Sequence, residues 1–198
     1  MKSVVYALVL AALSLAGCKK DGAPAPSKPV KPQPEMIYTD LQNRELKFQQ
    51  AQVIDLNKDG AADIGFSTWY IGDPVEREDE VLFFAGSYIH SLLLVDDANG
   101  SPAFKSGDVI PVSNYPGHTW YQVAQVEMAM KNTPESGQPY WEGAWKQVSH
   151  QYLAIQVVKE GKRYNGWIEV SFDTAGEKLI LHKAAICKEA EKAVVAGK

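Results

Sequence analysis

The run Asp55-Leu56-Asn57-Lys58-Asp59-Gly60-Ala61-Ala62-Asp63 carries the clearest chemistry in this chain. A hard cation such as calcium gathers about six to eight oxygens, and side chains at alternate positions of a tightly turned loop converge on one point. On this spacing Asp55, Asn57, Asp59 and Asp63 donate side-chain oxygens and Ala61 its carbonyl, while Gly60 permits the bend. The same residues also close a hairpin turn without metal, because Asp and Asn bond to nearby backbone. A second group is Tyr140, Trp141 and Trp145, beside Gly137, Pro139 and Gly143. Aromatic faces presented by a loop suit sugar rings, so a carbohydrate-binding platform is one reading. Core filling or a hydrophobic lid is the other.

Reaction chemistry finds less support. His90, His118, His150 and His182 are scattered, with no H-E-x-x-H for zinc and no G-x-S-x-G for a nucleophile. A glycan-acting hydrolase would need two carboxylates facing each other across a cleft, which is a three-dimensional property. The acidic run Asp73 to Glu80 reads as a solvated loop, with a carboxylate lent to the ion as the alternative. The Asp55–Asp63 loop departs from an EF-hand, since Phe66 stands where a bidentate Glu belongs and both flanks alternate like strands. It resembles the hairpin-borne D-x-N-x-D-G-x-x-D loops of integrin-like extracellular β-proteins. Calcium there is expected to be structural, and the chain a non-enzymatic binding or structural accessory.

The amino terminus suggests where such a loop would work. Lys2 precedes an apolar run from Val4 to Leu15, and Leu15-Ala16-Gly17-Cys18 follows. About a dozen apolar residues are too few to span a bilayer, which takes roughly 20. They suit a cleaved signal segment over residues 1–17. The pattern L-S-L-A-G-C resembles the lipobox of bacterial lipoproteins. That resemblance implies cleavage before Cys18, a diacylglycerol on its sulfur and a palmitate-type chain on the new amino terminus. Two or three chains anchor durably, at about 0.8 kcal/mol per buried methylene. Lys19 is not the aspartate that marks inner-membrane retention in enteric bacteria, so an outer membrane is favoured where the host has one. Residues 18–35, with Pro24, Pro26, Pro29, Pro32 and Pro34, read as an extended tether reaching up to about 50 Å. The membrane is then one partner, with an envelope protein or glycan as a second.

The net charge of −4 becomes −5 once Lys2 leaves with the signal segment, and no basic stripe suits nucleic acid. With Cys18 acylated, Cys187 has no intramolecular partner and reads as a small buried hydrophobe in Ala184-Ala185-Ile186-Cys187.

The elements that position these groups are strands. From residue 36 the pattern is of short apolar or alternating runs with no convincing amphipathic helix. Candidate strands are 45–54, 63–71, 81–85, 88–95, 109–112, 120–130, 152–159, 163–172 and 178–186, joined by Gly- and Asx-bearing turns such as Asp173-Thr174-Ala175-Gly176. Residues 188–198 lean to an edge strand over a helix. One domain over 36–198 is expected, mainly β, an antiparallel β-sandwich of jelly-roll type, with a barrel as alternative.

A wider likeness joins the loop to Lys105-Ser106-Gly107-Asp108-Val109-Ile110, Tyr152-Leu153-Ala154-Ile155 and Tyr164-Asn165-Gly166-Trp167-Ile168-Glu169-Val170. Together they resemble a group of uncharacterised secreted bacterial β-proteins with a D-x-N-x-D-G-x-x-D-F hairpin, a G-D-x-I turn and a late G-W-[IV] strand. Departures are Ile64 for Phe, Ala154 for Gly and Asn165 inserted before Gly166. The resemblance implies a β-sandwich outside the cell with possible metal binding, and it carries over no reaction and no active-site residues.

Overall fold

The structure is a computed structural model that describes residues 33–198, so the signal segment, Cys18 and the tether up to residue 32 lie outside the described residues. Every regular element described is a strand, and every pairing is antiparallel.

The larger sheet has seven strands. Its path runs β1 (Met36–Leu46), β13 (Lys178–Cys187), β12 (Lys162–Asp173), β11 (Gln151–Lys159), β5 (Ser91–Val95) and β8 (Thr119–Tyr121), with β6 (Ala103–Phe104) also pairing with β11. The smaller sheet has five strands in the order β10 (Tyr140–Glu142), β9 (Val126–Pro134), β4 (Glu78–Ser87), β3 (Ile64–Asp73), β2 (Ala51–Ile54). A two-stranded ribbon joins β14 (Val194–Val195) to β7 (Val109–Ile110). The chain passes between the two large sheets at β1–β2, β4–β5, β8–β9 and β10–β11, which makes the fold a β-sandwich. The expected terminal edge strand is β14.

Two cores follow from this layering. Between the sheets, Phe66, Phe83, Val126 and Met128 of the small sheet meet Leu93, Leu153, Ile168, Val170 and Leu181 of the large one. Phe83 and Phe172 touch edge to face across the gap, with ring centroids 5.0 Å apart. On the other side of the large sheet, the 96–121 segment and the carboxyl terminus cover Leu94, Tyr152, Trp167, Ala185 and Cys187. A strand buried on both faces shows no alternation, because neither side needs polar residues. That is why Tyr152 to Val157 are all buried in β11. Cys187 is buried as expected, and desolvation pushes its thiol up.

Three expected strands differ in detail. The 45–54 stretch is broken after Leu46 by a turn in which Gln49 takes φ 63° and donates its N–H to Thr68 Oγ1 at 2.9 Å. The preceding strand, β1, carries a bulge at Asp40–Arg44 where Gln42 and Asn43 take φ of 58° and 51°. The 120–130 stretch splits into β8 and β9 because the chain changes sheets there. Finally, Glu78 and Glu80, expected in a solvated loop, lie inside β4.

Candidate functional sites

The Asp55–Asp63 loop joins β2 to β3 as a hairpin tip. Its carboxylates bond to the loop's own backbone. Asp55 accepts from the N–H groups of Lys58, Asp59 and Gly60 at 2.7, 3.3 and 2.8 Å. Asp59 accepts from Ala61 N–H at 3.0 Å and from Asn57 Nδ2 at 2.9 Å, and these bonds, the backbone one first, hold its carboxyl below the usual range. Lys58 at φ 60° and Gly60 at φ 91° make the left-handed turns this wrapping requires.

Asp63 plays a different part. It is 4% exposed; its Oδ2 accepts from Leu56 N–H at 2.7 Å and Asn57 N–H at 3.4 Å, and its Oδ1 accepts from the Ser91 hydroxyl at 3.2 Å. Desolvation raises its carboxyl, and Asp55 adds to the rise. Asn57, Asp59, Ala61 and Asp63 line a cavity of about 400 Å³ and could offer oxygens to a hard cation, but Asp55 does not line it, and His90 and the cationic Lys159 do. In this conformation, however, no three His, Cys, Asp or Glu side chains among the described residues gather closely enough to hold one ion. Calcium would have to part the Asn57–Asp59 hydrogen bond. The acidic run at Asp73 lies at the opposite end of the ten-residue β3, about 30 Å away, and cannot reach the loop.

The three aromatics do not share a surface. Tyr140 and Trp141 are neighbours on β10, so their side chains point to opposite faces. Trp141 turns inward onto Phe83 and Phe172, at 6.0 and 5.1 Å between centroids. Trp145 is wholly buried and donates from Nε1 to the Ser101 carbonyl at 3.1 Å. Only Tyr140 is exposed.

Because Trp141 faces inward, the cross-strand register assigns the opposite face of the small sheet. One row across it reads Trp69, Leu82, Met130, Glu142, and the next reads Ile71, Glu80, Asn132, Tyr140. Ser67, Phe84 and Glu127 form a third, and Glu78 sits two residues before Glu80. Trp69, Ile71 and Tyr140 are 52%, 40% and 44% exposed on this face. Trp69 stands edge-on to Phe84 at 5.6 Å. Tyr140 donates its hydroxyl to Glu78 Oε2 at 3.2 Å. Partial desolvation, then Glu142 and Glu80, push the Glu127 carboxyl up. None of the ion pairs among the described residues involves Glu78, Glu80, Glu127 or Glu142. Asn132, 1% exposed, donates Nδ2 to Glu142 Oε2 at 3.3 Å, and its buried Oδ1 has no donor. Farther along the same strands Gly65 pairs with Gly86, and a groove of about 270 Å³ opens there beside Tyr88. This face was missed because four strands assemble it. The only local hint was Trp69 and Ile71 alternating with core-facing Phe66.

Two histidines that looked scattered also meet. His150 and His182 stack at 4.2 Å between centroids. His150 Nδ1 lies 2.8 Å from Glu169 Oε1. His182 bonds through Nδ1 to Asn43 Oδ1 at 2.7 Å and through Nε2 to Ser171 Oγ at 2.8 Å. Ser171 Oγ also accepts from the backbone N–H of His150 at 2.9 Å, so the hydroxyl acts as a structural clasp between strands. Burial first, then the neighbouring His150, hold the His182 imidazole below the ordinary histidine range, with Glu169 opposing and Lys183 adding. A histidine lowered in this way leaves the unfolded chain to take the proton first. Stability is therefore full above about pH 6.5 and declines as pH falls below it. Melting curves from pH 7.5 to 5 are expected to show a smaller decline for His182→Asn than for the wild type, and equal slopes would refute the assignment.

No known protein family, curated protein or solved structure matches this chain.

Proposed function

We propose that this chain is an acyl-anchored cell-envelope protein that binds a partner and catalyses no reaction, using the outer face of its five-stranded sheet. One observation carries the reading: Trp69, Ile71 and Tyr140 lie exposed on the same face as four glutamates without counter-charge. Exposed aromatic and apolar side chains gathered on one sheet face mark interaction sites. The lipobox at Leu15–Cys18 and the proline-rich stretch supply the anchoring half of the proposal. The Asp55–Asp63 loop, at the far end of β3 from the acidic turn, serves as a calcium-stiffened hairpin tip and not as the binding surface.

The test uses the full chain in its host envelope or a bacterial surrogate. Wild type is expected to incorporate labelled palmitate and fractionate with membranes, and Cys18→Ser to lose both. Cross-linking from intact envelopes is expected to yield one dominant partner with wild type and little with Trp69→Ala/Tyr140→Ala at equal membrane abundance. Equal yields from both would place the partner elsewhere on the protein.

A further inference from the structure

The outer face carries four carboxylates and no side-chain cation. Its strands present Glu78, Glu80, Glu127 and Glu142 but no lysine, arginine or histidine. The Tyr140 hydroxyl is spent on Glu78. The Asn132 amide is aimed into the cluster by its bond to Glu142, and its buried Oδ1 still lacks a donor.

The spacing decides what kind of cation this is. No three carboxylates here converge on a point, which argues against a single metal ion. Glu80, Glu127 and Glu142 stand on the neighbouring strands β4, β9 and β10, so the carboxylates are spread over about 10 Å across the sheet. Several charges on one backbone meet such a spread, because alternate side chains of an extended chain recur every 7 Å or so. Trp69 and Tyr140 offer exposed ring faces suited to an ammonium or guanidinium group. Anionic surfaces and nucleic acid are repelled.

Resting on the binding face proposed above, we propose that its ligand is an extended polypeptide segment bearing lysine or arginine at alternate positions, clasped by Glu80, Glu127 and Glu142 with Trp69 and Tyr140 stacked on its cations. The test is fluorescence anisotropy of a labelled peptide alternating lysine and threonine, titrated with the full chain in neutral detergent. Wild type is expected to bind, and binding to weaken at least tenfold in Glu80→Gln/Glu127→Gln/Glu142→Gln and severalfold in Trp69→Ala. Gln at position 142 still accepts from Asn132, so melting temperatures check that the variants stay folded. Unchanged affinity in the triple variant overturns the proposal. So does displacement of the peptide by millimolar calcium acting through these glutamates, which would make a metal the occupant. If a neutral oligosaccharide binds in a Trp69-dependent way and the peptide does not, the face remains a binding surface and only the ligand class falls. If neither binds, the reading of the face falls with it.

Discussion

Asp63→Ala is expected to lower stability by about 3–4 kcal/mol whether or not calcium is present, because the substitution strands buried donors at about 1–3 kcal/mol each. Leu56 is 1% exposed and Ser91 wholly buried, and both aim their donors at this carboxylate. Asp63 also holds the loop through its backbone, since its N–H donates to Ile54 O and its carbonyl accepts from Tyr88 N–H, each at 3.0 Å. The side chain thus ties the start of the hairpin tip to the β4–β5 turn. In a domain of this size such a loss lowers the melting temperature by roughly 10 °C. Asp63→Asn keeps an acceptor for Leu56 and is expected to cost far less. Asp59→Asn makes the contrast sharper: its carboxylate is exposed and bonds only within the loop, so without calcium the variant is expected to melt within about 2 °C of wild type. If calcium does bind, a tenfold excess over its Kd adds about 1.4 kcal/mol to wild type and little to Asp59→Asn. Calorimetric melts with calcium and with chelator separate the two roles. Equal responses of wild type and Asp59→Asn to calcium would remove the metal proposal while leaving the Asp63 strut intact.

The loop shows how much of a site spacing can convey. Asp55, Asn57, Asp59 and Asp63 were legible as a turn because alternate Asx residues around a glycine wrap in only a few ways. Which of them is buried was not legible, since that depends on Ser91, 28 residues away. The strands tell a similar story. Alternation and turn chemistry gave the all-β class, but β1 was obscured at its end by a bulge of polar residues, Gln42 and Asn43, in left-handed conformation. The β8–β9 break was hidden because a strand that changes sheets keeps the same apolar rhythm. The His150–His182 stack was beyond local reading, and the acidic face was hinted at only by Trp69 and Ile71 alternating with Phe66. In both, residues distant in sequence are neighbours only through sheet register, and a one-residue slip would send each to the opposite face.

Trp145 supplies the second large effect and separates the aromatic trio by energy as well as position. Trp145→Ala is expected to cost about 3–5 kcal/mol, the range for emptying a fully buried aromatic site. The ring sits in the inter-sheet core, and the residue's N–H donates to Met128 O at 3.0 Å, at the bulge where β9 shifts register against β4. Trp145→Phe should fall between, because the ring volume is mostly kept while the Ser101 carbonyl loses its Nε1 donor. Tyr140→Ala, by contrast, removes an exposed ring and one exposed hydrogen bond and should shift stability by no more than about 0.5 kcal/mol. It is expected instead to weaken capture of the peptide on the outer face. Loss of binding on truncating Trp141 together with Trp145 would therefore report unfolding and say nothing of a sugar platform. Chemical denaturation of the three single variants checks the order, and a Trp145→Ala protein as stable as Tyr140→Ala would mean that this core closes without its largest side chain.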